Sequence, residues 1–179
     1  MSAAFIGVGA NLGDPVAQVR SAIEELARLG PTRVSSLYRT EPLGDAAQPW
    51  FINAVVEIDT SGSARALLAE LRRLERRAGR PAEGARWGPR VLDLDLLLFG
   101  DLVLESVDLT LPHAGLTTRR FVLEPLAELA PLLREPRTGK TVAELLRGLD
   151  DPLRVEKLPA ANVRDPAANS AGDARGISS

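Results

Sequence analysis

Cysteine is absent from the 179 residues, which excludes disulfides, thiolate metal sites and a cysteine nucleophile. Lysine is scarce, present only as Lys140 and Lys157, and His113 is the single histidine. Positive charge therefore rests on arginine, whose planar fork suits carboxylate and phosphate oxygens. No apolar run approaches the ~18 residues of a membrane span. The opening MSAAFIGVGANLG also lacks the basic region and long apolar stretch of a secretory leader. A net charge of −2 argues against bulk attraction to nucleic acid or to an anionic membrane. We expect a soluble, cytoplasmic monomer that binds neither.

Two phosphate fingerprints are also missing, although fragments of both occur. GVGANLG has Gly7 and Gly9, but Leu12 stands where a dinucleotide-binding turn needs its third glycine. TGKT at 138–141 looks like the end of a P-loop, but Arg134 occupies the required upstream glycine position.

What is present reads as one domain, long enough to bury ~70% of its unfolded surface. AFIGVGA is a first strand, and Asp14-Pro15 caps a helix whose apolar face is Val16, Val19, Ile23 and Leu26, with Gly30 as its stop. TRVSSLYRT is a weakly alternating second strand. FINAVVEIDT is a clearer third, with Ile52, Ala54, Val56 and Ile58 on one face and Phe51, Asn53, Val55 and Glu57 on the other. A second helix follows from about Ser63 to Arg77, then a loop at 80–90 and the strand VLDLDLLLFG. This order predicts an α+β fold with a ferredoxin-like βαββαβ core and a mostly antiparallel sheet. Beyond it come a hairpin strand at DLVLE, a helical turn or two at PLAELAP, and a last helix VAELLRGL opened by Thr141 and Glu144 at capping-box spacing. We place the domain at 1–159. Residues 160–179 have almost nothing to bury and are expected to be a disordered tail.

The chemistry concentrates after the second helix. Asp93 and Asp95 are two apart on a strand, so both project to one face with Cα atoms ~6–7 Å apart. Leu92, Leu94 and Leu96 take the other face. Such carboxylates repel unless cations or protons intervene. Their span suits two Mg²⁺ ions, which take one or two protein carboxylates each and fill the rest with water and phosphate oxygens. Residues 72–90 hold seven arginines, and Arg80, Arg86 and Arg90 fall in the loop beside the aspartates. A polyphosphate could be neutralised from both sides. Phe51 and Asn53 share a strand face where a ring could stack on a flat heterocycle and an amide could read its edge. Trp50 and Trp87 sit beside Pro/Gly-rich loops that could close over a ligand.

Together these residues resemble the hydroxymethyl-dihydropterin pyrophosphokinase family of folate biosynthesis, over about residues 4–150. The most specific likeness is RWGPRVLDLDLLLFG, supported by GANLGD, SSLYRTEPLG, QPWFINAVV and LPHAGLTTRRFVLEPLAELAP. The resemblance implies transfer of the β,γ-pyrophosphoryl group of ATP to the hydroxymethyl oxygen of a reduced pterin, with release of AMP. It implies two Mg²⁺ ions on Asp93 and Asp95, with Arg80 and Arg90 on phosphate oxygens and Arg86 in the loop that covers ATP. Glu75, Thr110, His113 and Arg119 would complete the ATP side. Phe51 and Phe121 would sandwich the pterin, Asn53 and the backbone near Thr40, Pro42 and Leu43 would bond its edge, and Trp87 would pack over it.

The chain departs from some members at Ala82, Glu83, Asp108 and Ala114, which bears on how firmly ATP is clamped. Loops 44–50 and 80–90 are expected to close once ATP binds, with Gly84 and Gly88 giving the second its freedom. Two other readings stand beside this one: a different two-metal phosphodiester-cleaving enzyme, and a non-catalytic ferredoxin-like RNA-binding module. The second would need stacking aromatics where this chain puts acids.

Overall fold

A computed structural model describes residues 1–42, 47–79 and 89–159. Strand β1 (Ser2–Ala10) leads through an Asp14-capped turn to helix α1 (Pro15–Ala27), the Asp14 carboxylate accepting the Ala17 N–H at 3.0 Å. Two short strands follow, β2 (Thr32–Val34) and β3 (Tyr38–Thr40), then the long β4 (Phe51–Thr60). Helix α2 (Ala64–Arg77) starts at an Ser63 cap and β5 (Asp93–Phe99) returns to the sheet. A two-residue hairpin pairs β6 (Leu104–Glu105) with β7 (Thr110–Leu111). Helices α3 (Arg120–Leu129) and α4 (Val142–Arg147) and strand β8 (Val155–Lys157) complete the order.

The sheet runs β5-β1-β4-β3-β8, with β2 also on β4, and every pairing is antiparallel. The alternation expected for β4 and β5 sorts their side chains between two cores. Ile52, Ala54, Val56, Ile58, Leu94 and Leu96 pack with Ile6 and Val8 of β1 under α1 and α2. Phe5, Val55 and Leu97 turn to the opposite face and pack under α3 and α4. Leu71 of α2 is fully buried, so truncating it to Ala would cost ~2–5 kcal/mol.

Four sequence expectations change. TRVSSLYRT is two strands, because Ser35 leaves the ladder to bond β4 twice: its hydroxyl accepts the Val55 N–H and its own N–H donates to the Val55 carbonyl. Helix α1 ends at Ala27 with Arg28 as its cap, before Gly30. Gly30 serves close packing instead, since a Cβ there would stand 2.4 Å from the Asp59 carbonyl oxygen. The turn or two at PLAELAP is a ten-residue helix that begins upstream and carries Pro125 inside it. Strand β8 was not anticipated. Thr141 and Glu144 form the expected capping box. The expected tail at 160–179 lies outside the described residues.

Candidate active site

The site grows from one row of the sheet. Register places Asp93 of β5 opposite Gly9 of β1, Gly9 opposite Asn53 of β4, and Asp95 opposite Gly7. Residues directly opposite share a face, so the two acids, the two glycines and the amide all open toward α3. Two inter-strand steps, ~10 Å, separate the acids from the amide. A cleft of about 340 Å³ occupies this face. Gly7, Gly9 and Leu97 line its floor, with Phe51, Asn53, Thr40 and Glu41 on one wall. Arg90, His113, Gly115, Arg119 and Phe121 are also among its lining residues.

The glycines matter because they are bare. A Cβ on Gly9 would stand 2.6 Å from Asn53 Oδ1, so the amide can lie across β1 only over a glycine. Asn53 is buried, and its Nδ2 donates to Thr40 Oγ1 at 2.6 Å. That bond orients the amide and leaves its carbonyl oxygen toward the floor.

At the acidic end, Arg90 Nη1 lies 3.4 Å from Asp93 Oδ1, and His113 Nε2 lies 3.9 Å from Asp95 Oδ1. Main-chain bonds fix both residues. The Arg90 N–H donates to Asn11 Oδ1 at 2.7 Å, and its carbonyl accepts the Asn11 N–H at 3.0 Å. The His113 N–H donates to the Leu97 carbonyl at 2.9 Å. His113 Nδ1 accepts the Gly115 N–H at 3.1 Å, so the neutral ring carries its hydrogen on Nε2, facing Asp95. Both aspartates remain about one-third exposed. Among the described residues no three His, Asp or Glu side chains form a metal cage. An open pair of carboxylates fits Mg²⁺ better than a cage would, because that ion keeps water and phosphate oxygens in its remaining positions.

At the other end, Phe121 sits in the first turn of α3, with the Arg119 guanidinium carbon 5.8 Å from its ring centre. Gly115 makes room for that guanidinium, since a Cβ there would approach it to 2.5 Å. Helix α3 is tied to β3 at its far end, where Glu128 accepts the Tyr38 hydroxyl at 2.7 Å. Burial, followed by that bond to Glu128, pushes the Tyr38 hydroxyl well above its ordinary range. Burial would raise the Glu128 carboxyl, but bonds from Tyr38, Ser36 and Lys157 hold it below the usual carboxylate range.

Nine residues singled out from the sequence therefore meet in one cleft: Thr40, Phe51, Asn53, Arg90, Asp93, Asp95, His113, Arg119 and Phe121. Pro42 is buried beside the wall residue Glu41. Glu75, expected on the ATP side, is buried on α2, and its Oε1 accepts the Leu94 N–H at 2.8 Å. It thus holds the β5 main chain from α2. Thr110 belongs to the β6–β7 hairpin and does not line the cleft. Asp108, one of the departures, pairs with Arg65 near that hairpin. Leu43, Arg80, Arg86 and Trp87 lie outside the described residues, as do Ala82, Glu83, residues 44–46 of the first expected closing loop and 80–88 of the second. Sequence reasoning missed Gly7, Gly9, Glu41, Gly115 and Asn11. Only the glycines left a signal, two of them at strand spacing where a floor must stay bare.

The sequence pattern of the family described as 7,8-dihydro-6-hydroxymethylpterin-pyrophosphokinase (HPPK) matches residues 5–131. A 2-amino-4-hydroxy-6-hydroxymethyldihydropteridine pyrophosphokinase from Pseudomonas aeruginosa is 44% identical over 161 residues, spanning 88% of this chain and 97% of that one. Its counterpart from Methylorubrum extorquens is 43% identical, spanning 88% and 99%. Among solved structures, Plasmodium falciparum HPPK-DHPS superposes with a TM-score of 0.62 at 16% identity, a likeness of fold. That match covers 82% of this chain but only 43% of the Plasmodium chain, so this chain spans less than half of it.

Proposed function

Because the chain belongs to the 7,8-dihydro-6-hydroxymethylpterin-pyrophosphokinase family, we propose that the cleft is its active site, with a phosphate end at β5 and a pterin end at β4 and α3. The protein is an ATP-dependent pyrophosphokinase of folate biosynthesis, transferring pyrophosphate from ATP to 6-hydroxymethyl-7,8-dihydropterin and releasing AMP. We read the order β5-β1-β4-β3, with α1 and α2 packed on one face, as the ferredoxin-like arrangement. We further take the enzyme to work in the cytoplasm as a monomer. No described helix is long and apolar enough to cross a membrane.

In the reaction the hydroxymethyl oxygen gives up its proton and bonds to the β-phosphorus, while the bond from that phosphorus to the α-phosphate oxygen breaks and AMP leaves. Such transfer depends on positioning and on electrostatic stabilisation of spread negative charge. Asp93 and Asp95 would hold two Mg²⁺ ions, which when bound would neutralise the triphosphate and orient its oxygens. Arg90 is placed to meet phosphate oxygens, and its bond to Asp93 keeps its guanidinium at the acidic end. His113 can donate from Nε2 to a phosphate oxygen near Asp95 without needing to be charged. Arg119 adds a further cation, lodged over Gly115.

The pterin would stack between Phe51 and Phe121, and Asn53 would present its carbonyl oxygen to the ring's donor edge. The ~10 Å between amide and acids suits a flat bicyclic ring whose hydroxymethyl arm points at the phosphates. One observation carries the reading: the row Asp93–Gly9–Asn53, with Asp95 two residues along β5, which sets the two acids and the amide on one face of one sheet.

AMP release from ATP tests it. The rate should require both Mg²⁺ and the reduced hydroxymethylpterin. Equal release without the pterin would indicate a hydrolase and overturn the proposal.

A further inference from the structure

Residues 150–158 lie beyond the family match at 5–131, and the mechanism above gives them no task. They run as a strap between α3 and β3. Near the start, Asp151 Oδ2 accepts the Arg120 N–H at 2.8 Å, and the Asp151 carbonyl lies 3.3 Å from Arg120 Nε. Helix N-termini leave such N–H groups unsatisfied, and Arg119 provides no side-chain cap. Asp151 thus caps α3 from outside, one residue from Phe121.

Midway, Arg154 locks onto Glu41. Its main-chain N–H and its Nε each donate to the Glu41 carboxylate at 2.9 Å, and its carbonyl accepts the Glu41 N–H at 3.1 Å. The Arg154 guanidinium also lies 5.0 Å from the Trp50 ring centre, and Arg39 lies 4.5 Å from the same ring. Glu41 lines the cleft beside Thr40, and Trp50 directly precedes Phe51. At the far end, Val155 pairs with Thr40, and Lys157 Nζ lies 3.2 Å from Glu128 near the end of α3. A strand that merely covered a sheet edge would need only its backbone bonds. This one sends Asp151, Arg154 and Lys157 into both ring-bearing walls.

We propose that residues 150–158 set the spacing between Phe51 and Phe121, with Asp151 and Arg154 as positioning residues for the bound heterocycle. The inference rests on the reading of those rings as a pterin sandwich. It assigns pterin affinity, and not ATP affinity, to a segment outside the pattern match at 5–131.

The test compares Asp151→Ala, Arg154→Ala and the double variant. Readouts are steady-state KM for each substrate, affinity for a non-hydrolysable ATP analogue, and thermal unfolding. Each single variant should raise the pterin KM about tenfold, the scale of one lost charge-assisted bond. The double variant should fall well short of the product of the singles, because both cut the same strap. Affinity for the ATP analogue should change less than about twofold, which also certifies the fold. An unchanged pterin KM would overturn the inference, as would pterin and ATP constants that rise together in step with lost thermal stability. Asn53→Ala serves as the control. If it raises the pterin KM and the strap variants do not, the strap alone is wrong. If it does not, the cleft assignment fails and the strap proposal falls with it.

Discussion

The two ends of the cleft are built in different ways. The acidic end comes largely from one stretch, Arg90 to Asp95, with His113 brought up by a bond to the same strand. The heterocycle end is assembled from β3, β4, α3 and, by our inference, β8. Charge dominates the first and packing the second. Charge that matters most as the phosphorus is transferred acts on kcat, whereas packing that holds a ring acts on KM. Variants at the two ends should therefore fail differently.

The largest effect is expected from Asp95→Ala. Removing one of the two carboxylates proposed to organise the phosphates should lower kcat by ~10³-fold, the upper range for losing an electrostatic stabiliser. The fold should survive, because the side chain is part-exposed. Near-normal turnover at saturating Mg²⁺ would erase the distinction between the ends.

Asn53→Ala comes next. Losing the amide leaves a buried heterocycle edge unpaired and should raise the pterin KM ~10–100-fold, with the ATP KM changed far less. Equal shifts in both would mean that the pocket is misassigned.

Gly9→Ala sharpens the comparison without touching a polar group. A methyl at 2.6 Å from Asn53 Oδ1 must displace an amide already bonded to Thr40. The pterin KM should rise about tenfold, the scale on which a steric clash discriminates, while a folded sheet is kept. An unchanged KM would show that the amide moves freely.

Acid pH should weaken the heterocycle end through the contacts behind it. Hydrogen bonds from the Arg154 backbone and guanidinium hold the Glu41 carboxyl below its ordinary range. Burial opposes the same shift at Glu128, but the bonds from Tyr38, Ser36 and Lys157 prevail. A lowered folded-state pKa stabilises the fold above the unfolded range and loses that contribution as pH falls through the folded value. Stability from urea unfolding should thus decline on acidification below the usual carboxylate range. Glu128→Gln should flatten part of that decline, and an unchanged slope would contradict the contact.

Thr141→Ala, far from either end, should cost only ~1 kcal/mol of stability through its capping box, with no change in either KM.

The same contrast explains what could be read beforehand. The acidic end was legible because its groups follow one another at strand spacing, and alternation alone sets Asp93 and Asp95 against Leu94 and Leu96. Phe51 and Asn53 were legible as a strand face, but their partners were not. Strand β8 is three residues at a sheet edge, with no apolar pattern to announce it. Helix α3 opens on Arg119 without a capping side chain, and Pro125 inside it imitates a helix start. Glu75 was chosen because its type suits a ligand. Its burial against the Leu94 N–H depends on how α2 packs, which no local spacing encodes. The bare floor at Gly7 and Gly9 gains meaning only once Asn53 is known to reach across it.

Direct binding measured on crossed variants tests the division of the cleft most sharply. Calorimetric titration should find that Asp95→Ala still binds the pterin while losing Mg²⁺-dependent affinity for a non-hydrolysable ATP analogue, and that Asn53→Ala does the reverse. If both variants lose both ligands alike, or neither loses either, the cleft has no separate phosphate and pterin ends and the account is wrong.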